Sequence, residues 1–376
     1  NAHIASVETK DINEVQGLVK LVHEGDFVGV VCKSPSAVEA AMAKIRVSWD
    51  LEQPINQQEI DKLVDVDAEM FEGDLEHVLQ DEAHRKSVDW DIDLRFDVQV
   101  QTHAQQEPRA AIARFNDSNA EHALEVWTGT QDPWAIKRSA AMDTGLSQDD
   151  IIVYPQRIGG GFGGREYYEV ERDAVRLARA VQRPVKVQWT REDDIQHSFY
   201  HAVSAQHIEA SLNEKGNIEA YLHRTAFSPI MSTFQEGATS PAGFELRLGF
   251  TDNPINSPNL KLENGEAPAK TRVGWMRSVS NIFHAFAIQS FIAEAAHKAG
   301  RDQKDYLLET IGPDRILDVT EQNASYDNYG ADKDVYPLDI GKLRHVIEKV
   351  ADISKWGRKL PKGRGLGIAA HRSFLT

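Results

Sequence analysis

Five glycines surround one phenylalanine near the middle of this chain, in the segment 159–164 with the sequence Gly-Gly-Gly-Phe-Gly-Gly. An apolar strand pattern at 151–154 leads into this segment, and a helical pattern from Tyr167 to Val181 follows it. Glycine adopts positive φ angles and lets the backbone come close to a partner. A glycine-rich loop before a helix presents unpaired N–H groups and the positive end of the helix dipole. We therefore predict an anion-binding loop, because a plain strand-to-helix turn needs fewer glycines.

The positions of Gly159, Gly161 and Gly164 also satisfy the dinucleotide-binding pattern G-x-G-x-x-G, and a strand pattern at 185–189 completes a strand–helix–strand unit. Two features argue against this interpretation. The segment 155–157 separates the first strand from the glycines, and no acidic residue stands at the tip of the second strand to bind a ribose. A nicotinamide- or flavin-dependent oxidoreductase therefore stays an alternative. A phosphate-binding P-loop is disfavoured, since no Lys-Ser/Thr pair follows the last glycine.

The bulk properties narrow the class of protein. A chain of 376 residues is long enough for two or three domains. Its net charge of −16 disfavours nucleic acid and anionic membranes as partners, and no apolar run is long enough to span a bilayer. The single cysteine, Cys32, has apolar neighbours and is predicted to lie in the core. One cysteine cannot supply the ligands of an iron–sulfur cluster. It also cannot form a disulfide within the chain, so cysteine usage does not distinguish cytoplasm from periplasm.

The hydrophobic patterns predict an α+β fold. Residues 1–50 form a small α/β piece, and the acidic segment 51–85 is a surface connector with one short helix at 75–81. The elements expected in the first piece are a helix at 15–24, a strand at 27–32, a helix capped by Ser36 and a strand at 45–49.

From residue 86 onward the patterns alternate between strands and helices. Three strands are expected between residues 86 and 127, and Asp132 is predicted to cap a helix that begins at Pro133. Two strands joined by a turn at 213–217 form an antiparallel hairpin, which is unlike an all-parallel dinucleotide-binding domain. The long polar stretch 227–270 either lines a substrate channel or crosses the surface.

His103 and Glu107 lie close together in the sequence, but two ligands are too few for a metal site. His103 is predicted to be a structural hydrogen-bonding residue.

Several segments in the same order resemble the large, molybdenum-binding subunit of the xanthine dehydrogenase and aldehyde oxidase family. The matching segments are His-Ala-Gln-Gln-Glu-Pro at 103–108, Thr-Gln-Asp-Pro at 130–133, the glycine loop at 160–164 and Gly-Trp-Met-Arg-Ser-Val at 274–279. The sequence is most similar to the branch that contains the β subunits of isoquinoline 1-oxidoreductase. That branch often has arginine where Gly164 stands. The assignment to this branch, and with it the identity of the substrate, is therefore left open.

The resemblance implies a hammerhead-like α/β piece followed by a molybdopterin-binding domain of mixed sheets and helices. The implied parts are the C-terminal part of the hammerhead-like domain at 1–50, a connector at 51–85, the first molybdopterin-binding domain at 86–318, and a linker with the start of a second such domain at 319–376.

The resemblance also implies the cofactors and the residues that bind them. The cofactor is molybdopterin with molybdenum, in the cytosine dinucleotide form, and 2Fe–2S clusters are expected on a small partner subunit. None of the implied binding residues is a direct metal ligand. They are Gln131, whose amide donates toward an oxo ligand of molybdenum, Gly160, Gly161, Phe162, Gly163, Gly164, Arg277 and Ser278.

The implied reaction is hydroxylation of an N-heterocycle or an aldehyde with water as the oxygen source. The family's general base is a glutamate in a Gly-x-Gly-Glu motif, which is expected beyond Thr376 and leaves the catalytic residue of this chain unassigned. The chain is thus expected to be an incomplete fragment, whose own activity is open and whose partners include the rest of the same subunit. The alternative from a different class is a non-catalytic scaffold subunit.

Overall fold

A computed structural model describes residues 2–51, 56–62, 64, 66, 76–79, 89–117, 119–322 and 328–375. The mixture of helices and strands confirms the predicted α+β class. The strands are Ala2–Glu8 (β1), Leu18–Glu24 (β2), Phe27–Cys32 (β3), Arg46–Leu51 (β4), Glu76–Leu79 (β5), Ile92–Val98 (β6), Gln101–Thr102 (β7), Ala110–Phe115 (β8), Leu124–Thr128 (β9), Ile151–Pro155 (β10), Val185–Gln188 (β11), Tyr200–His201 (β12), Ser204–Leu212 (β13), Ile218–Phe227 (β14) and Asn259–Gly265 (β15). The α-helices are Pro35–Met42 (α1), Gln57–Lys62 (α2), Pro133–Thr144 (α3), Val170–Val181 (α4), Arg191–His197 (α5), Gly243–Leu246 (α6), Asn281–Lys298 (α7), Gln303–Thr310 (α8) and Ile340–Ser354 (α9).

The chain divides into two compact units, and each is assembled from separate segments. Unit 1 contains residues 1–56 and 102–199, and unit 2 contains residues 57–101 and 200–376. The assignment of hammerhead-like and molybdopterin-binding domains to the sequence stays a prediction. None of the helices in the described ranges is long and apolar enough to cross a membrane.

The first segment of unit 1 consists of two antiparallel strand pairs, β1 with β4 and β2 with β3. The predicted helix at 15–24 is wrong, because Gly25 turns the chain with a φ of 57° and returns β2 as a hairpin strand onto β3. The predicted strands at 27–32 and 45–49 are confirmed. Helix α1 is capped by Ser34, whose hydroxyl accepts from the N–H of Ala37, and the predicted cap at Ser36 is wrong.

The second segment of unit 1 holds a four-stranded sheet in the order β10-β9-β8-β11, with α3 and α4 packed against it. Strand β10 is parallel to β9, whereas β8 is antiparallel to both β9 and β11. The two strands of the proposed dinucleotide-binding unit, β10 and β11, therefore lie at opposite edges of the sheet. A strand–helix–strand unit of that kind needs them close together, so the strand order disfavours the nicotinamide or flavin alternative.

Unit 2 holds a five-stranded sheet in the order β5-β15-β14-β13-β6. The predicted hairpin of β13 and β14 is confirmed, and β15 adds to β14 in parallel. The predicted short helix at 75–81 is wrong where the chain is described, since 76–79 pair with β15 as a strand. Helix α7 packs on this sheet and buries its apolar face in a core that includes Tyr221, Phe227, Phe250, Phe283 and Phe291.

Candidate functional site

The glycine loop at 159–164 follows β10 and precedes α4 by several residues. Gly160 and Gly163 each have a φ of 99°, and Phe162 adopts a φ of 56°, which is rare for a residue with a side chain. Alternating backbone conformations of this kind turn successive N–H groups toward one side and form a concave anion-binding nest. Phe162 is 46% exposed, so its ring is open to solvent rather than packed in the core of unit 1.

The backbone N–H groups of the loop fall into two sets. The N–H of Gly163 donates to Gln131 Oε1 at 2.8 Å, and the N–H of Gly164 donates to the carbonyl of Gly161 at 2.9 Å. The N–H groups of Gly160, Gly161 and Phe162 make no hydrogen bond within the described part of the chain. Three consecutive donors are therefore free to bind a polar group.

Gln131, a predicted site residue, lies directly against the loop. Its Oε1 accepts from the N–H of Gly163 and, at 3.4 Å, from that of Arg165. Because both groups can only donate, they fix which end of the amide carries the oxygen. The Nε2 end donates to Glu166 Oε1 at 3.4 Å. A Cβ on Gly161 would lie 2.2 Å from Gln131 Oε1, so this contact requires a glycine.

Arg165, which the sequence analysis did not single out, holds the loop from its buried side. Its side chain is 1% exposed, and its guanidinium donates to the carbonyls of Gly160 at 2.8 Å, Gly129 at 3.1 Å and Glu107 at 2.5 Å. The Glu107 carboxylate also accepts from the N–H of Gly159 at 2.7 Å. The only signal in the sequence was the position of a basic residue directly after the last glycine.

A buried polar layer lies behind Gly164. His103 Nδ1 donates to the carbonyl of Phe199 at 3.1 Å, which confirms its predicted structural role. Arg109 donates to the carbonyl of Gly164 at 3.3 Å and forms ion pairs with Glu169 and with Asp194. The amide of Gln105 is fully buried, and a Cβ on Gly164 would lie 2.6 Å from its Nε2. The loop can therefore pack closely on this layer only because position 164 lacks a side chain.

Two carboxyl groups near the loop have raised pKa values. Burial, together with the charge of Asp132, raises the pKa of Glu166, the residue that accepts from Gln131. Burial also raises the pKa of Glu171 at the start of α4, although the Thr128 hydroxyl donates to it at 2.5 Å. Carboxyl groups with raised pKa values are common in ligand-binding and catalytic sites.

The other two predicted site residues, Arg277 and Ser278, lie in unit 2. Ser278 and Val279 have φ angles of 72° and 50°, so the chain turns through two left-handed residues before α7 begins. The Ser278 carbonyl accepts from the side-chain amide of Asn281 at 3.0 Å. Arg277 is exposed, and its guanidinium has no hydrogen bond or ion pair among the described residues. The turn thus presents a cation to solvent.

Sequence comparison identifies a family. The sequence model of the molybdopterin cofactor-binding domain matches residues 57–306. A subunit of nicotinate dehydrogenase from Pseudomonas putida is 28% identical over 343 residues, which cover 85% of this chain and 27% of that protein. The beta subunit of isoquinoline 1-oxidoreductase from Brevundimonas diminuta is 25% identical over 380 residues, which cover 95% of this chain and 44% of that protein. The chain thus spans less than half of the length of these two relatives.

Comparison with solved structures shows the same fold. The aldehyde oxidoreductase of Desulfovibrio gigas superposes with a TM-score of 0.70 at 15% identity, over 94% of this chain and 42% of that one. Quinoline 2-oxidoreductase of Pseudomonas putida 86 superposes with a TM-score of 0.65 at 16% identity, over 94% of this chain and 50% of that one.

Proposed function

The chain belongs to the molybdopterin cofactor-binding domain family, and from this we propose that it forms part of the cofactor-binding subunit of an oxidoreductase. The proposed reaction is hydroxylation of an N-heterocycle or an aldehyde with water as the oxygen source. When bound, the molybdenum cofactor would supply a metal centre that activates a water-derived oxygen and accepts electrons from the substrate. The relatives named above act on nicotinate, isoquinoline and aldehydes, which supports this substrate class.

The observation that carries the proposal is the row of three free N–H donors at Gly160, Gly161 and Phe162. Molybdopterin is a polar, phosphate-bearing group, and backbone N–H nests bind such groups well. Glycines at positions 160 and 161 leave the backbone open to close approach. Gly163 and Gly164 contribute differently, because their N–H groups already hold the loop in shape.

Gln131 is proposed to orient the metal centre. Its oxygen is held by the loop, so its Nε2 is the end available to donate a hydrogen bond to an oxygen ligand of molybdenum. We assign Phe162 to packing beside the cofactor or the substrate, because its ring is half-exposed on the same loop. Arg277 and Ser278 are proposed to form a second cofactor loop, in which the exposed guanidinium attracts phosphate oxygens.

Two further parts of the proposal rest on family membership alone. They are the cytosine dinucleotide form of the cofactor and the assignment of hammerhead-like and molybdopterin-binding domains to the chain. A small subunit with 2Fe–2S clusters is proposed as the electron acceptor, because such clusters need several cysteine ligands and this chain has one cysteine.

Elemental analysis of the protein from a host that makes the cofactor tests the proposal. We expect near-stoichiometric molybdenum and release of a cytidine nucleotide on acid treatment. Gly161→Val should abolish both, because its side chain would displace Gln131 and block the free donors. Gly243→Ala is the matched control, since a Cβ there meets no atom within 4 Å. Absence of molybdenum from the folded parent protein would refute the proposal and favour the scaffold alternative.

A further inference from the structure

Three potential metal ligands meet on one face of the sheet in unit 2. His207 and Glu209 are two residues apart on β13, so their side chains point to the same side of the sheet. Asp93 on β6 stands directly opposite Glu209 in the strand register. The ligand atoms of all three residues lie within 4.8 Å of one another, and His207 Nε2 is 2.7 Å from Asp93 Oδ1.

The arginines near the cluster also pair with carboxylates outside it: Arg95, opposite His207 in the strand register, pairs with Asp97 at 3.1 Å. Carboxylates directly opposite each other on adjacent strands destabilise the pairing. Arg224 Nη2 lies 3.3 Å from Glu209 Oε2, but that oxygen accepts no hydrogen bond. The Nε of the same arginine pairs with Glu263 at 3.3 Å, and Lys261 reaches Glu263 at 3.0 Å. Glu263 thus pairs with two cations, whereas Glu209 shares one of them, Arg224, with Glu263.

Access to the cluster is one-sided. The side chains of Glu209 and His207 are 10% and 11% exposed, whereas that of Asp93 is 66% exposed. An ion could therefore enter from the side of Asp93 and keep water molecules there. Because all three ligand atoms are at the ends of side chains, small rotations could bring them to about 3.4 Å apart. That spacing follows from bonds of about 2.1 Å to a tetrahedral zinc ion.

We propose that Asp93, His207 and Glu209 form a binding site for a divalent transition-metal ion of the zinc class. One imidazole nitrogen with two carboxylate oxygens is a ligand set that zinc accepts, and the imidazole favours zinc over magnesium. The ion replaces the hydrogen that now joins His207 to Asp93, and it neutralises the facing carboxylates. Arg224 then pairs fully with Glu263. The bound ion ties β6 to β13 and stabilises this side of the sheet.

Titration calorimetry of the chelator-treated chain with zinc chloride tests the site. We expect one zinc site, no comparable response to magnesium chloride, and at least tenfold weaker zinc binding in His207→Ala and Asp93→Asn. His297→Ala is the matched control, because it removes an exposed histidine of the same unit and should bind zinc like the parent. Asp93→Asn is nearly isosteric at an exposed position, so it keeps the test valid if the histidine variant does not fold.

Cobalt(II) provides a second measurement, because its visible absorption reports nitrogen and oxygen ligation directly. Bands that appear in the parent and in His297→Ala but not in Asp93→Asn support the proposal. Equal zinc affinity in all variants, or no zinc binding by the parent, overturns it. Neither result depends on molybdenum content, so the outcome is separate from that of the proposed function.

Discussion

Gly161 and Gln131 are coupled at the scale of single residues. A Cβ on Gly161 would meet Gln131 Oε1 at 2.2 Å and its Cδ at 2.6 Å, far inside the contact distance. The φ of Gly161 is not among the positive values, so the backbone itself tolerates alanine. Position 161 therefore needs a glycine because the side chain of Gln131 occupies the space of a Cβ. The same side chain accepts a hydrogen bond from the N–H of Gly163.

We expect Gly161→Ala to destabilise the chain by about 1–3 kcal/mol, as overpacked sites do. In the background of Gln131→Ala the same change should cost much less, because the clashing amide is gone. Urea unfolding of the parent, both single variants and the double variant gives the coupling energy. Additive effects of the two changes would contradict the contact between these side chains.

Helix α3 shows, at the scale of elements, how the sequence positions the site. Asp132 caps the helix by accepting from the N–H of Ala135 at 2.9 Å, and Pro133 occupies its first turn. Gly145 ends it with a φ of 76°. Since Gln131 precedes the cap directly, the start of this helix fixes where the amide enters the loop.

Asp132→Ala should lower the unfolding free energy by about 1 kcal/mol, because an N-cap hydrogen bond is lost. Asp132→Asn, which keeps the accepting oxygen, should lose only a few tenths by the same measurement. Equal losses in both variants would mean that the negative charge, rather than the cap, stabilises the helix.

The elements also show where sequence reasoning succeeds and fails. The cap at Asp132 and the strand at 151–154 were predictable, because their signals are local. The predicted helix at 15–24 failed because the hairpin depends on β3 pairing with β2 across Gly25. Arg165 and Gln105 were missed for a related reason, since their burial depends on strands and loops distant in the chain.

At the scale of the whole molecule, the family was predictable from motifs in order, but the division into compact units was not. Each unit combines two separated segments of the chain, and hydrophobic patterns carry no information on such long-range assembly. The net charge of −16 was readable from composition. How the stability varies with pH depends instead on which ionisable groups the fold buries, and these groups are visible only in the structure.

Buried groups set how the stability of the whole molecule varies with pH. Burial raises the pKa of Asp252 to about 7 and that of Asp173 to about 6. A carboxyl group with a raised folded pKa contributes fully below its unfolded pKa, near 3.8, and its contribution is lost as the pH rises to the folded value. Burial lowers the pKa of His371 to about 4, so its contribution is present above pH 6.5 and is lost as the pH falls toward 4.

The buried carboxyl groups thus favour the folded state at low pH, whereas the buried histidines His371, His284 and His223, whose pKa values burial lowers, favour it at higher pH. Asp252→Asn isolates the contribution of one buried carboxyl group. Between about pH 4 and pH 7 the unfolding free energy of the parent should fall relative to this variant, by at most about 1.4 kcal/mol per pH unit. Above pH 7 the difference should stay constant, because Asp252 is then ionised in both states. Urea unfolding across this range measures it, and a pH-independent difference would show that Asp252 titrates normally in the folded chain.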